Sequence, residues 1–220
     1  MVKPGATGLA PHRPLRSAPA DSEAAVPTGV MALLCLALAC ILLVVALAST
    51  TWLRTDHFRQ GLFEECSEKG ITIQLENPPK PGECQKTQTR GGRVYVHAVA
   101  ALLVIAAILT LAAVLLTALG LRSLNASQKY LLYRCALYIA LLAVALEAAA
   151  LVTFPVCFYL ELKEMQVYRW DFDWAYGVAW GALIFTVGAA ILLICDKEHE
   201  EIYYKEKTIM HPQAGKEAQA

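Results

Sequence analysis

The chain has 220 residues, 57% of them hydrophobic and only 17% charged, with a mean hydropathy of +0.45. A domain of this size cannot bury so much apolar side chain in water, so composition excludes a soluble globular protein and, over most of the length, a disordered one. The 19 Lys and Arg residues balance 19 Asp and Glu residues, which leaves no basic surplus to neutralise phosphates and removes nucleic acid as a partner.

A membrane protein remains, and its segments follow in chain order. Residues 1–28, rich in Pro and Ala, read as a disordered N-terminal tail. Crossing a hydrocarbon core of about 30 Å takes roughly 20 apolar residues in a helix. The first such run is Val30–Ala48. Arg13 and Arg16 ahead of it and the small residues Ala46–Ala48 at its end also fit a cleaved signal peptide, although the run is longer than such signals need. A polar loop, 52–93, follows; its alternation at Ile71, Thr72, Ile73, Gln74 and Leu75 predicts a small sheet. The second span is Ala98–Leu119, and a short basic loop with Arg122, Lys129 and Arg134 leads to the third, Ala136–Phe158. A second loop, 160–173, precedes the fourth span, Trp174–Cys195. The charged tail, 196–220, is expected to extend the last helix briefly, with Glu201 and Lys205 at i,i+4 spacing.

Lys and Arg divide almost evenly between the two sides of these spans, so charge asymmetry does not orient the chain. The cysteines do. Cys66 and Cys84 are the two that lie in a polar loop, where a disulfide in an oxidising compartment makes sense of them. That puts both loops outside and both termini in the cytosol. Cys35, Cys40, Cys135, Cys157 and Cys195 lie within or beside spans, where a free thiol behaves as a small hydrophobe.

Trp52 at the exit of the first span, then Gly61, Leu62 and Phe63, then Cys66 and Cys84, resemble the W, GLW, C, C signature of the claudin and peripheral myelin protein superfamily, with Phe63 where many members have Trp. The segments LVTFPVCF (Leu151–Phe158) and DFDWAYGVAWGALIF (Asp171–Phe185) are similar to the last two spans of its junction-associated branch, that of transmembrane protein 47 and PERP. The resemblance covers about Val30–Lys205. It implies an all-α membrane protein: a four-transmembrane-helix bundle (29–195) topped by a small disulfide-stapled extracellular β-sheet, resident in the plasma membrane at cell–cell junctions. A sheet of about 40 residues needs such a staple. Trp52 is expected either to anchor that sheet at the membrane interface or to be an ordinary aromatic-belt residue there.

Glu147 is an acidic residue in the middle of a span, where an ionisable group is costly and marks a site by default. Three readings stay open: a protonated acid in an interhelical hydrogen bond, a partner contact, or proton translocation. Gly177, Gly181 and Gly188 on the fourth span read as helix packing, inside the bundle or in lateral self-association. Pro155 is expected to shape the third span. Cys135 and Cys195, at the cytosolic ends of spans three and four, are candidate palmitoylation sites. Tyr203 and Tyr204 are candidate phosphate acceptors. His199 among Glu198, Glu200 and Glu201 offers no converging metal ligands, and the sequon at Asn125 faces the cytosol. No catalytic motif is present, so no cofactor, metal or small-molecule substrate is expected.

The expected function is therefore non-enzymatic: organisation of junctions and adhesion through the outer sheet and lateral contacts. The expected partners are membrane lipid, junctional membrane proteins or further copies of the chain, and a cytoplasmic scaffold. The same fold and loop signature occur in calcium-channel gamma subunits, which leaves an auxiliary regulator of a channel or receptor as the alternative. A proton-coupled carrier built on Glu147 is a third class.

Overall fold

In lipid each apolar run has to satisfy its own backbone donors and acceptors, and each does so as one helix. The computed structural model describes residues 28–55, 58–67, 80–87, 94–123, 125–165 and 170–210. It contains α1 (Thr28–Ala48), α2 (Val94–Arg122), α3 (Ala126–Met165) and α4 (Trp174–Met210), and all four are long and apolar enough to cross a membrane. The alternating stretch 71–75 and most of residues 1–28 lie outside the described residues, as do 211–220.

The inward faces are built from small side chains and the outward faces from large ones. On α1 the buried residues Gly29, Ala32, Leu36, Ala39, Leu43 and Ala46 recur every three or four positions, while Leu34, Ile41 and Val44 are exposed. Small residues let helix backbones approach where no water is present to drive association, and the outward Leu, Ile and Val suit lipid tails. The most extensive packing is of α2 on α3 and of α1 on α4.

Two helices exceed their expected lengths. The 40 residues of α3 run through Leu160 to Met165, into the expected second loop, and the 37 residues of α4 run well past Cys195. Neither extension meets a breaker: from Asp196 the sequence carries no Gly or Pro until Pro212.

The loops between the first and second and between the third and fourth spans form one five-stranded antiparallel sheet. Its strands are β1 (Leu53–Thr55), β2 (Phe58–Gln60), β3 (Glu64–Ser67), β4 (Cys84–Lys86) and β5 (Trp170–Phe172), in the order β4-β3-β2-β1-β5. The fifth strand comes from the second loop, whereas the sequence assigned the sheet to the first loop alone. Three residues is too short a run for strand periodicity to register.

Buried apolar residues form two clusters. One lies under the sheet and includes Leu43, Trp52, Leu62, Leu103, Leu151 and Phe154; the other lies at the opposite end and includes Leu36, Ala113, Tyr133, Ala140 and Leu193. Thr110, Glu147 and Thr186, on α2, α3 and α4, fall between them in sequence and are fully buried.

Candidate functional site

The sheet is fixed to the bundle through Trp52. Its indole N–H donates to the Ala46 carbonyl at 2.7 Å, which satisfies one of the carbonyls left without a partner at the end of α1. Its backbone N–H donates to Gln60 O at 2.8 Å, and its carbonyl accepts from Asp173 N at 3.0 Å. One residue thereby joins the end of α1, strand β2 and the start of α4. Its ring meets Phe154 edge-on at 5.3 Å and Tyr176 at 5.9 Å between centroids. Trp52 is 0% exposed, so its ring is a plug inside the sheet end of the bundle rather than a side chain facing headgroups or water.

The second loop completes this plug. Phe172 stacks on Tyr176 at 4.5 Å, and Trp170 meets Phe172 at 5.2 Å and Phe158 at 5.4 Å. Aromatic pairs at these separations add to the energy of burial. Asp173 opens α4 by accepting from Trp174 N–H at 2.7 Å, a first-turn contact that favours the helix start.

Gly61, Leu62 and Phe63 divide their work. A Cβ at Gly61 would lie 2.8 Å from Thr50 Cα and 3.0 Å from Ser49 O, so the β2–β3 connection rests against the α1–β1 linker where only glycine fits. Leu62 is fully buried in the cluster under the sheet. Phe63 is 48% exposed, and its carbonyl accepts from Thr87 N at 2.9 Å.

Cys66 and Cys84 are bonded to each other and stand directly opposite across β3 and β4. The cross-strand row Asp171, Arg54, Arg59, Cys66, Cys84 runs the width of the sheet, because directly opposed residues share a face. Arg54, Arg59 and Asp171 are exposed on it. The neighbouring row, Phe172, Leu53, Gln60, Glu65, Gln85, is turned inward; Gln60 and Glu65 are buried, and Gln85 Nε2 donates to Glu65 Oε1 at 2.7 Å.

The remaining residues singled out from the sequence are dispersed. Glu147 is 0% exposed, with the Thr110 and Thr186 hydroxyls 3.5 and 3.3 Å from its Oε1. Pro155 lies inside α3, four residues beyond Leu151, and the Leu151 carbonyl accepts from the Tyr176 hydroxyl at 2.9 Å. Cys135 and Cys195 are exposed on their helices. Two readings were open for Gly177, Gly181 and Gly188, packing inside the bundle and lateral self-association, and none of the three makes a close helix contact within the chain. A Cβ at Gly177 or Gly188 would meet nothing within 4 Å, and one at Gly181 would meet Leu42 at an ordinary 3.8 Å. The inward ridge of α4 is Ala175, Ala179, Ala182, Thr186 and Ala189, with Gly177 exposed and Gly181 and Gly188 half-buried beside it.

The close glycine contacts at the end of the bundle opposite the sheet lie elsewhere. Tyr133, 5% exposed, fills a notch whose walls are Gly29 of α1 and Gly120 of α2; a Cβ at Gly29 would lie 2.6 Å from its hydroxyl oxygen, and one at Gly120 would overlap its ring. Sequence reasoning passed over Tyr133 and Trp170 and took in Phe154, Phe172 and Tyr176 only as parts of the resembling segments, although the density of aromatics between Phe154 and Trp180 is a usable signal. Among the described residues no group of His, Cys, Asp and Glu side chains is arranged to hold a metal ion.

Comparison with known proteins agrees with this architecture. A family model described as PMP-22/EMP/MP20/Claudin family matches residues 29–193. A Danio rerio protein named p53 apoptosis effector related to PMP-22 is 38% identical over 123 residues, which is 55% of this chain and 63% of that relative.

Proposed function

The chain belongs to the PMP-22/EMP/MP20/Claudin family, and from that premise we propose that it is a non-enzymatic organiser of cell–cell contacts, acting through its outer sheet. The observation that carries this reading is the union of two loops in one disulfide-bonded sheet seated on the bundle by Trp52. A surface held in this way loses little conformational freedom on meeting a partner. It presents Arg54, Arg59 and Asp171 in one row, with Phe63 exposed at the β2–β3 connection. Mixed charge and an exposed aromatic suit a protein partner.

The disulfide supports an orientation with the sheet outside the cell, because such bonds persist in oxidising compartments. The 1–28 and 196–220 tails are then cytoplasmic, where the long charged end of α4 is available to a scaffold and Cys135 and Cys195 to acylation. The partners proposed are junctional membrane proteins, further copies of the chain and membrane lipid.

The test uses a confluent epithelial layer expressing a tagged copy, compared with Arg54→Glu plus Arg59→Glu and with Cys66→Ser plus Cys84→Ser. Enrichment of the intact protein at cell borders, reduced in the arginine variant at equal surface delivery, is the expected result. Uniform surface distribution of the intact protein would overturn the junctional reading in favour of an auxiliary subunit that follows a lateral partner.

A further inference from the structure

The polar layer between the two apolar clusters has a hydrogen count that constrains it. The Thr110 hydroxyl lies 2.9 Å from Ala106 O and 3.5 Å from Glu147 Oε1; the Thr186 hydroxyl lies 3.0 Å from Ala182 O and 3.3 Å from the same Oε1. Each hydroxyl has one proton, and in both cases the nearer acceptor is the carbonyl one turn back in its own helix. Both threonines therefore direct lone pairs at Oε1, which is repulsive unless Oε1 itself carries a proton. Glu147 Oε2 is buried with no hydrogen-bond partner. As a carboxylate oxygen that atom would be charged, desolvated and bare; as the carbonyl oxygen of a neutral acid it costs far less to leave unpaired.

Nothing charged faces it. The buried residues of α1 are Gly29, Ala32, Leu36, Ala39, Leu43 and Ala46, and those of α2 and α4 near this level are Ala106, Thr110, Ala113, Ala182, Thr186 and Ala189. No titratable group is among them, and no Lys, Arg or His is buried among the described residues. An ionised Glu147 would be an uncompensated charge inside the membrane.

We propose that Glu147 is a buried proton-binding site: a neutral carboxylic acid whose proton resides on Oε1 and is donated to the Thr186 hydroxyl, tying α3 to α4 beside α2. The arrangement holds the proton in place rather than passing it on, because no described buried group stands next in line to receive it. Its consequence is that α3 and α4 are joined at this level, with Thr110 of α2 alongside, by a bond that exists only while the acid is neutral.

Infrared spectroscopy of the full-length protein in lipid nanodiscs at neutral pH tests this. Wild type is expected to show the carbonyl band of a protonated carboxylic acid, sensitive to deuteration and missing from Glu147→Gln. Thr186→Val, which removes the acceptor, shifts the band without abolishing it, and keeps the assignment secure if the glutamine variant does not fold. The folded chain binds a proton that the unfolded chain releases, so wild-type thermal stability falls as pH rises and that of Glu147→Gln does not. Absence of the band from wild type, or a band that neither substitution alters, overturns the proposal.

Discussion

The Tyr176 hydroxyl donates, at 2.9 Å, to the Leu151 carbonyl, the backbone oxygen that Pro155 deprives of its helical partner four residues on. A proline inside a membrane span frees one acceptor that lipid cannot satisfy. Here α4 supplies the donor, from the residue whose ring also stacks on Phe172 and touches Trp52. The irregularity in α3, the second loop and the aromatic plug under the sheet are thus joined at a single side chain.

Tyr176→Phe keeps the ring and removes the donor, so it is expected to cost about 0.5–1.5 kcal/mol. Pro155→Ala returns an N–H to the Leu151 carbonyl and should make Tyr176→Phe nearly silent. A double-mutant cycle on thermal unfolding in detergent measures this dependence. Equal effects of Tyr176→Phe with and without Pro155 would show that the hydroxyl serves another acceptor.

Gly61→Ala is expected to be more damaging than its size suggests. The added Cβ would meet Thr50 Cα at 2.8 Å, backbone against backbone, with no flexible side chain to yield. Overpacking of this kind costs about 1–3 kcal/mol. Surface biotinylation reads the outcome as loss of mature protein from the plasma membrane, and Phe63→Ala, at an exposed position, serves as the control with normal delivery.

The four spans were legible because length and apolarity alone dictate a membrane helix, and the Cys66–Cys84 pair because two cysteines shared one polar loop. The plug was not. Trp52 stands at the end of a span, where composition favours an interfacial anchor, and its burial depends on Phe154 and Tyr176 arriving from more than a hundred residues away. The GxxxG step left two readings open for a related reason: spacing locates a stripe of small residues but not the direction it faces, and alanines supplied the inward ridge of α4. The Tyr133 notch was hidden because Gly29 and Gly120 are isolated glycines in separate helices that become a pair only when packed.

Opening the disulfide should act on the sheet and spare the spans. Cys66 and Cys84 are 18 residues apart, and closing a loop of about that size contributes about 3 kcal/mol in the chain-entropy model. Cys66→Ser plus Cys84→Ser is expected to leave helical circular dichroism close to wild type while making the outer loop sensitive to protease added to intact cells. Simultaneous loss of helical signal would mean that the sheet and bundle form one cooperative unit.

Gly120→Ala and Gly177→Ala make the same chemical change in two membrane helices with opposite expected results. At Gly120 the new methyl would overlap the Tyr133 ring, which is held against Gly29 on its other side and has no room to retreat, so a loss of about 1–3 kcal/mol is expected. At Gly177 it would meet nothing within 4 Å, and the higher helix propensity of alanine should leave stability unchanged or raised by up to about 1 kcal/mol. Thermal unfolding in detergent separates the two. Gly177 is exposed, so Gly177→Leu then asks what this position faces: a change in crosslinked dimer in native membranes at unchanged thermal stability would assign it to contacts between copies, and an unchanged pattern would assign it to lipid.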